Sequence, residues 1–345
     1  MRMDGRRESG NVDDRRGQRS GGRFGSGGGG NIFGGGAGGG NGLNILSLII
    51  SMISLFKSSK NSGGGNKGGG GCGCIGLIVI LVLGYFLLSG GGLGSLLGGL
   101  AGGEGGGFNP AVIFNTDGEG DSDYTPTAEE EELARFSKQV FAGTEDVWTK
   151  IFAQNGLTYE CPRLVLFTDY VSSGCGNASS STGPFYCSAD QCVYIDLSFF
   201  KDMRRTIGAD GDFAYAYVIA HEVGHHVQYL LGDLSRIHQQ QSRASEKESN
   251  QLSVRLELQA DFYAGIWAYH DNKMFNSLED GDIEEALNAA QKIGDDYLQK
   301  KARGYTVPES FNHGTSAQRS RWLKMGIQTG DLSKRDTFTP RYESL

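Results

Sequence analysis

Residues 221–225 read HEVGH, which combines two imidazoles and a carboxylate at a spacing suited to metal-assisted hydrolysis. Positions four apart share one face of an α-helix, so His221 and His225 can bind a single ion. Glu222 follows the first imidazole and is placed to act as a general base on a water molecule at that ion. The flanking DFAYAYVIA and VQYLLG are apolar and favour a helix, whereas a chance match on a surface helix would have polar flanks. The motif is therefore expected on a largely buried helix.

A pair of carboxylates further along the chain could supply the third metal ligand that HEVGH lacks. A catalytic zinc ion takes three protein ligands and leaves a fourth position for water. Glu257 and Asp261 are four residues apart in LELQADFYAG, so they too share a helix face. Glu257 can complete the metal site, while Asp261 can accept a hydrogen bond from a histidine ligand and fix its ring. The alternative, a solvated acidic face, fits poorly because the helix continues with the apolar FYAGIW.

His313 lies outside these motifs and has two alternative roles. It precedes Gly-Thr-Ser, which is typical of the start of a helix. An imidazole there could donate a hydrogen bond to the oxyanion of a tetrahedral intermediate. Capping or bracing the helix is an equal alternative, and Tyr305 and Arg319 are weaker candidates for the oxyanion role. His226 points about 100° away from His225 around the helix, so we expect a structural role for it.

Four cysteines lie close together in the second half of the chain: Cys161, Cys175, Cys187 and Cys192. An even, clustered set favours disulfides if this region lies in an oxidising compartment, and sequence alone allows three pairings. We favour Cys175–Cys187, because the Gly/Ser-rich GNASSSTGPFY between them would be costly to order without a crosslink. That leaves Cys161–Cys192. A zinc site made by all four thiolates is the alternative, but paired CxxC spacings are lacking.

Composition divides the chain into two unlike parts. Of its 56 glycines, 38 lie in the first 107 residues, and glycine has no side chain to fill a core. The first 103 residues carry ten Lys/Arg and four Asp/Glu, whereas the whole chain has a net charge of −8. The remainder is therefore strongly acidic, which argues against nucleic acid as a partner because phosphate would be repelled.

An uncharged apolar stretch at residues 75–97 is long enough to span a bilayer, which takes about 20 residues. Seven arginines precede residue 24, and no Lys or Arg follows the stretch until Arg135. The positive-inside bias therefore predicts a single-pass cell-membrane protein whose acidic domain is extracytoplasmic. Residues 43–56 are also apolar but short, and we interpret them as membrane-associated. If they were a second span, the acidic domain would return to the cytoplasm.

The remaining patterns predict a mainly helical α+β domain with a small sheet. Strands are indicated at 164–167 and 193–200, and a capping box at Thr127 and Glu130 starts a helix at Ala128. Further helices are expected near 212–231, 247–270, 282–301 and 316–329. The resulting plan has a Gly-rich, largely disordered cytoplasmic region at 1–74, a transmembrane helix at 75–97, a linker at 98–126, the domain at 127–335 and a tail at 336–345.

Several of these motifs together resemble one family. HEVGHHVQ, LELQADFYAG and HGTSAQRSRW, with GRRESGNVDDRRG near the start and SGCGNA, GPFYC and VYIDLSFF between, are similar to the bacterial membrane-anchored "putative neutral zinc metallopeptidase" family. The resemblance implies a zincin-like peptidase with one catalytic Zn²⁺ and a peptide or protein substrate. By analogy with peptidases that use a glutamate ligand, His221, His225 and Glu257 would bind zinc, and Glu222 would be the base. The long Gly-rich insert and the apolar run at 43–56 depart from the family's usual start.

Two other functions fit the same residues. One is a non-enzymatic, membrane-anchored binding protein whose fold is stabilised by zinc, and the other is a zinc amidase that acts on cell-wall material. Glu222 argues against the first, because a structural zinc site needs no base and is usually closed by a fourth protein ligand. We therefore expect a membrane-anchored zinc peptidase, with the lipid bilayer and a peptide or protein as its partners.

Overall fold

The computed structural model describes residues 1–18 and 124–345. The chain divides into two compact units, one of Met1–Phe56 with Pro126–Leu345 and one of Lys57–Thr125, and the elements below belong to the first. None of the helices in the described ranges is both long and apolar enough to cross a bilayer. The expected span at 75–97, the apolar run at 43–56 and nearly all of the linker at 98–126 lie outside the described residues.

Helices make up most of the described chain. Three of them begin with a capping box, in which a Ser or Thr side chain and the side chain three residues on satisfy free N–H groups at the helix start. The α-helices are α1 (Ala128–Gln154), α2 (Ser198–Asp202), α3 (Asp212–Leu230), α4 (Asp233–Gln241), α5 (Glu246–Phe275), α6 (Asp282–Lys292), α7 (Asp295–Arg303) and α8 (Ser316–Thr329).

The strands form a four-stranded sheet and a separate hairpin. They are β1 (Val12–Asp14), β2 (Arg163–Phe167), β3 (Tyr170–Ser173), β4 (Gly176–Ser179), β5 (Phe185–Cys187) and β6 (Cys192–Asp196). The sheet has the order β1-β2-β6-β5, in which β5 alone runs antiparallel to its neighbour, and β3 pairs with β4. This mixed sheet beside a group of helices confirms the α+β class expected from the sequence.

The two faces of the sheet explain the cysteine pairing. Cys175, in the turn between β3 and β4, is bonded to Cys187 of β5, as the sequence predicted. The predicted bond between Cys161 and Cys192 is wrong, because both are free thiols. Cys192 is buried with Tyr194 on the face that the hairpin covers, whereas Cys161 is exposed before the start of β2, beside α1.

Helix α3 lies at the centre of the helical layer and packs against α1, α5 and α6, while α5 also packs closely along α8. Two glycines allow the crossing of α5 and α8. A Cβ atom on Gly265 would lie 2.3 Å from the carbonyl oxygen of Leu323, and one on Gly326 would lie 2.3 Å from that of Phe262. The two backbones therefore pack against each other directly, which fixes how α8 presents its side chains to α5.

Residues 1–18 differ from the largely disordered region that composition predicted for 1–74. β1 adds to the sheet in register with β2, with Val12 opposite Leu164. The Arg6 guanidinium forms two hydrogen bonds with the Asp271 carboxylate, at 2.7 and 3.2 Å. Composition hides this docking because the segment is charged, and its contacts are mostly polar interactions with distant carboxylates.

Three further predicted boundaries also differ from the structure. The expected strand at 193–200 ends at Asp196, whose carboxylate accepts the N–H of Ser198 and starts α2. The single helix expected at 282–301 is divided into α6 and α7 at Gly294. The tail at 336–345 packs on the domain, since Thr337 is fully buried and the Arg255 guanidinium donates to the carbonyl oxygen of Pro340.

Candidate metal centre

Helices α3 and α5 bring two imidazoles and one carboxylate together. His221 Nε2 lies 3.2 Å from Glu257 Oε2, and His225 Nε2 lies 3.5 Å from Glu257 Oε1. One ligand atom from each of the three residues lies within 4.8 Å of the other two. Two nitrogens and one oxygen are donor types that zinc takes, and they lie close enough together to bind a single ion.

The other nitrogen of each imidazole is held by a side chain of the protein. His221 Nδ1 lies 2.8 Å from Asp261 Oδ1, the partner expected from the sequence. His225 Nδ1 lies 2.9 Å from Gln228 Oε1, and the Gln228 amide donates in turn to the Leu256 carbonyl oxygen at 2.7 Å. Because these partners engage Nδ1 of both rings, the Nε2 atoms that face Glu257 are the ones left to bind a metal, which would take the place of their protons.

Asp261 is the centre of a buried network. Its Oδ1 atom accepts from the Tyr217 hydroxyl at 2.6 Å, and the Arg319 guanidinium donates to both carboxylate oxygens at 2.9 Å. Burial alone would raise the pKa of Asp261, but Arg319 and His221 outweigh it and lower the pKa. The carboxylate therefore stays ionised although no solvent reaches it, and it can hold the His221 ring in one orientation.

The electrostatics of the site favour a cation. Burial disfavours the imidazolium, yet Asp261 and Glu257 raise the pKa of His221 to about 10. Burial likewise opposes ionisation of Glu257, yet hydrogen bonds from His221 and His225 hold its pKa well below the usual range. Carboxylates that stabilise protons on both imidazoles would equally stabilise a metal ion in their place, so the donor set fits zinc in charge as well as geometry.

Glu222 is the only carboxylate of the HEVGH segment and differs from Glu257 and Asp261 in its partners. It is only 9% exposed. In the part of the chain that the structure describes, no hydrogen bond or ion pair engages its carboxylate, which is free to bind a water molecule. The side chain is largely buried, but its carboxylate keeps access to solvent, so a water molecule or a substrate can reach it.

His313 lies at the edge of the same site, with 42% of its side chain exposed. Its Nδ1 atom is 3.2 Å from Asp295 Oδ1, and Asp295 Oδ2 accepts the backbone N–H groups of residues 312, 313 and 314. Burial opposes the imidazolium, but the charges of Asp295 and Glu257 raise the pKa of His313. Because Glu257 contributes to this shift of the pKa, His313 lies within electrostatic range of the three converging side chains.

The two weaker candidates for the oxyanion role have other surroundings. Arg319 lies at the site, with its guanidinium 3.8 Å from Glu257 Oε2, but it is buried and donates to Asp261 and Tyr217. Tyr305 is 57% exposed, and its ring packs against the Arg303 side chain. Buried His226 has the structural role expected of it, because its Nδ1 atom meets the Tyr186 hydroxyl and its Nε2 atom the Glu160 carbonyl oxygen.

Sequence reasoning missed three supporting residues. Gln228 follows His225 by three positions, so helical spacing could have identified it as a partner of that ring. Tyr217 lies four residues before His221 and could have been found in the same way. Asp295 gave no comparable signal, because it reaches the His313 loop from the start of a different helix.

Gly224, inside the HEVGH segment, lets α3 approach α5. A Cβ atom at this position would lie 3.0 Å from the carbonyl oxygen and 3.1 Å from the Cα atom of Ala260. Ala260 lies between Glu257 and Asp261 on α5. The missing side chain therefore helps to bring both carboxylates within reach of the two imidazoles.

A second acidic cluster is formed by Asp212, Asp282 and Glu285, whose carboxylate oxygens also lie within 4.8 Å of one another. The α-ammonium group of Met1 lies among them, 2.7 Å from Asp212 Oδ2 and 3.0 Å from Asp282 Oδ1. A protein cation already compensates this charge, so the cluster differs from the site on α3 and α5.

Comparison with known proteins identifies the family. A family model described as "Putative neutral zinc metallopeptidase" matches residues 56–338. The chain is 44% identical over 338 residues to the uncharacterized protein YpfJ of Escherichia coli K12, covering 98% of this chain and 99% of the relative. It is 44% identical over 191 residues to the uncharacterized protein Rv2575 of Mycobacterium tuberculosis H37Rv, covering 52% of this chain and 64% of the relative. No solved structure matches the chain.

Proposed function

The chain belongs to the "putative neutral zinc metallopeptidase" family, and from that premise we propose that it is a membrane-anchored zinc peptidase with its catalytic site between α3 and α5. The observation that carries the proposal is the convergence of His221, His225 and Glu257 beside an unpaired Glu222. A structural zinc site would have no use for a carboxylate that is next to the ligands but bonded to no protein group in the described ranges. A zincin-like arrangement of the domain is part of the same proposal.

His221, His225 and Glu257 would hold one zinc ion, with Asp261 and Gln228 keeping the two rings in place. When bound, zinc supplies a Lewis acid that polarises the scissile carbonyl and lowers the pKa of water to about 7. Glu222 takes a proton from the attacking water and passes it to the departing amine nitrogen. Glu222 thus serves as base and then as acid, which requires the freedom that the lack of a protein partner gives it.

His313 would donate a hydrogen bond to the oxygen of the scissile carbonyl as negative charge develops on it. Asp295 favours the imidazolium form and fixes both the ring and its loop through four hydrogen bonds. A donor fixed in this way acts electrostatically, because it needs no reorganisation when charge develops on the carbonyl oxygen.

The proposal is tested with the full-length chain purified in detergent. Metal content is measured, and unfolded casein and cell-wall fragments are offered as substrates before and after treatment with a chelator. We expect about one zinc ion per chain and cleavage of casein that the chelator abolishes and added zinc restores. Cleavage of cell-wall amide bonds alone would identify an amidase, and zinc binding without hydrolysis of either substrate would overturn the enzymatic function.

A further inference from the structure

Residues 1–18 pack on the same unit as the catalytic site, although the two apolar runs of the sequence lie between them. Met1 has 1% of its side chain exposed, and its α-ammonium group binds Asp212 at the first turn of α3, the helix that carries HEVGH. The Ser9 hydroxyl donates to Glu145 of α1 at 2.6 Å. β1 forms the edge of the sheet next to β2. The segment thus contacts α1, α3 and the sheet.

The end of the first described range lies beside the start of α1. The Arg16 guanidinium donates to the Glu130 carbonyl oxygen at 3.3 Å and to the Glu131 carboxylate at 3.0 Å. Glu130 and Glu131 belong to the first turn of α1, where the described chain resumes. The two ends of residues 19–123 are therefore neighbours, and both lie on the surface of one folded unit.

A folded unit with buried ion pairs and a polar surface cannot straddle a bilayer, because its polar groups would lose water without gaining partners. We propose that residues 1–18 and the catalytic domain lie together on the extracytoplasmic face of the membrane, so that residues 19–123 cross it an even number of times. This replaces the single crossing inferred from charge, and it requires residues 43–56 to cross as a second, short span where their length alone indicated only membrane association. The proposal rests on the membrane anchoring of the proposed function and is independent of hydrolysis.

The charges that favoured a cytoplasmic N-terminus have other partners in the structure. The guanidinium groups of Arg6, Arg7 and Arg16 form ion pairs with carboxylates of α5 and α1. Arg15 pairs with Asp13 within the segment itself. These arginines are neutralised on the protein surface, so their count does not report which side of the membrane the N-terminus occupies.

The lysines between the two apolar runs indicate which side of the membrane that stretch occupies. Lys57, Lys60 and Lys67 lie between 43–56 and 75–97, and no acidic residue accompanies them. Arg23 lies 20 residues before position 43, at the limit of the about 15–20 residues over which the positive-inside bias acts. The lysine-bearing stretch is therefore cytoplasmic, which places both ends outside. The Cys175–Cys187 disulfide is consistent with an oxidising compartment on that side.

The test is thiol labelling of the full-length chain in bacterial spheroplasts. The background replaces Cys72, Cys74 and Cys161 with Ser, and buried Cys192 and the disulfide remain. Three reporters are introduced singly: Glu8→Cys on the exposed N-terminal surface, Tyr170→Cys at a side chain that is 67% exposed, and Ser62→Cys among the lysines. A membrane-impermeant maleimide is added before or after lysis, and only chain that stays with the membranes after an alkaline wash is counted.

We expect the Glu8→Cys and Tyr170→Cys thiols to label at least tenfold more than the Ser62→Cys thiol in intact spheroplasts. All three should label alike after lysis, which controls for thiol reactivity. Labelling of Tyr170→Cys but not Glu8→Cys before lysis would mean a single crossing and would overturn the proposal. Protection of both, or labelling of all three, would also overturn it. Recovery of the chain in the soluble fraction would show that it is not anchored in the membrane and would overturn the proposal. Absence of casein cleavage would contradict the proposed hydrolysis but would not affect the labelling result.

Discussion

Glu222 is buried beside the ligands, and in the described ranges no residue bonds to its carboxylate. Glu222→Gln keeps the shape of the side chain but removes the proton acceptor. We expect the variant to bind zinc as the wild type does and to lose about 10²–10⁴-fold in kcat. Metal analysis with casein hydrolysis measures both quantities. Glu284→Gln, at an exposed position on α6, is the matched control, and hydrolysis by Glu222→Gln at the wild-type rate would refute the mechanism.

His313 is expected to act on the reacting carbonyl without holding the metal. His313→Ala should lower kcat by about 10²–10³-fold, the usual effect of losing an oxyanion donor, with unchanged zinc content. His313→Gln should recover part of the loss, because an amide can still donate a hydrogen bond. If His313→Ala lowered thermal stability but not kcat, the residue would only brace the loop that Asp295 holds.

Arg319 is expected to support the site through Asp261. In Arg319→Ala the Asp261 carboxylate loses both hydrogen bonds from the guanidinium and remains buried. Breaking a buried ion pair in this way costs about 3–5 kcal/mol of folding free energy. Arg321 is exposed and lies two residues further along α8, so Arg321→Ala should change the folding free energy by no more than about 0.5 kcal/mol. Denaturant unfolding of both variants measures the difference, and equal effects would contradict the assigned role.

The glycines at two helix crossings, α5 with α8 and α3 with α5, are expected to differ in how much stability a Gly→Ala substitution costs. Gly→Ala in a helix gains up to about 1 kcal/mol of intrinsic propensity, so a loss must come from packing. A Cβ on Gly326 meets backbone at 2.3 Å, and we expect Gly326→Ala to lose about 1–3 kcal/mol. A Cβ on Gly224 meets backbone only at 3.0 Å, so Gly224→Ala should stay within about 1 kcal/mol of the wild type. A smaller loss for Gly326→Ala than for Gly224→Ala in thermal unfolding would contradict the close crossing of α5 and α8.

Elements whose signals are local could be predicted from the sequence. The capping box at Thr127 and the Gly-Thr-Ser that follows His313 indicated the starts of α1 and α8. The four-residue spacings of His221 with His225 and of Glu257 with Asp261 indicated the helix faces that meet. Elements that depend on distant partners could not. β1 is only three residues long and mostly charged, so nothing in its own pattern distinguishes it from a linker.

Docking of residues 1–18 should contribute measurably to the stability of the whole molecule. Arg6 is 9% exposed, lies over the Phe275 ring at 3.8 Å and pairs with fully buried Asp271. Arg6→Ala leaves that carboxylate buried without its partner, and we expect a loss of about 3–5 kcal/mol in the free energy of unfolding of the full-length chain. Arg2→Ala, whose side chain is 51% exposed, should cost less than about 1 kcal/mol. Equal unfolding midpoints for the two variants would show that the segment is not held.

The same docking sets an order of events in folding. Arg6 and Asp271 are 265 residues apart in sequence, and Met1 and Asp282 are 281 apart. Contacts of such long range bear the largest loop-closure entropy, so they should form after α3, α5 and α8 have assembled. Their loss should then leave the folding rate nearly unchanged and speed unfolding. Residues 1–18 would thus dock after the helices have assembled, and they would set the lifetime of the folded state instead of the rate at which it forms.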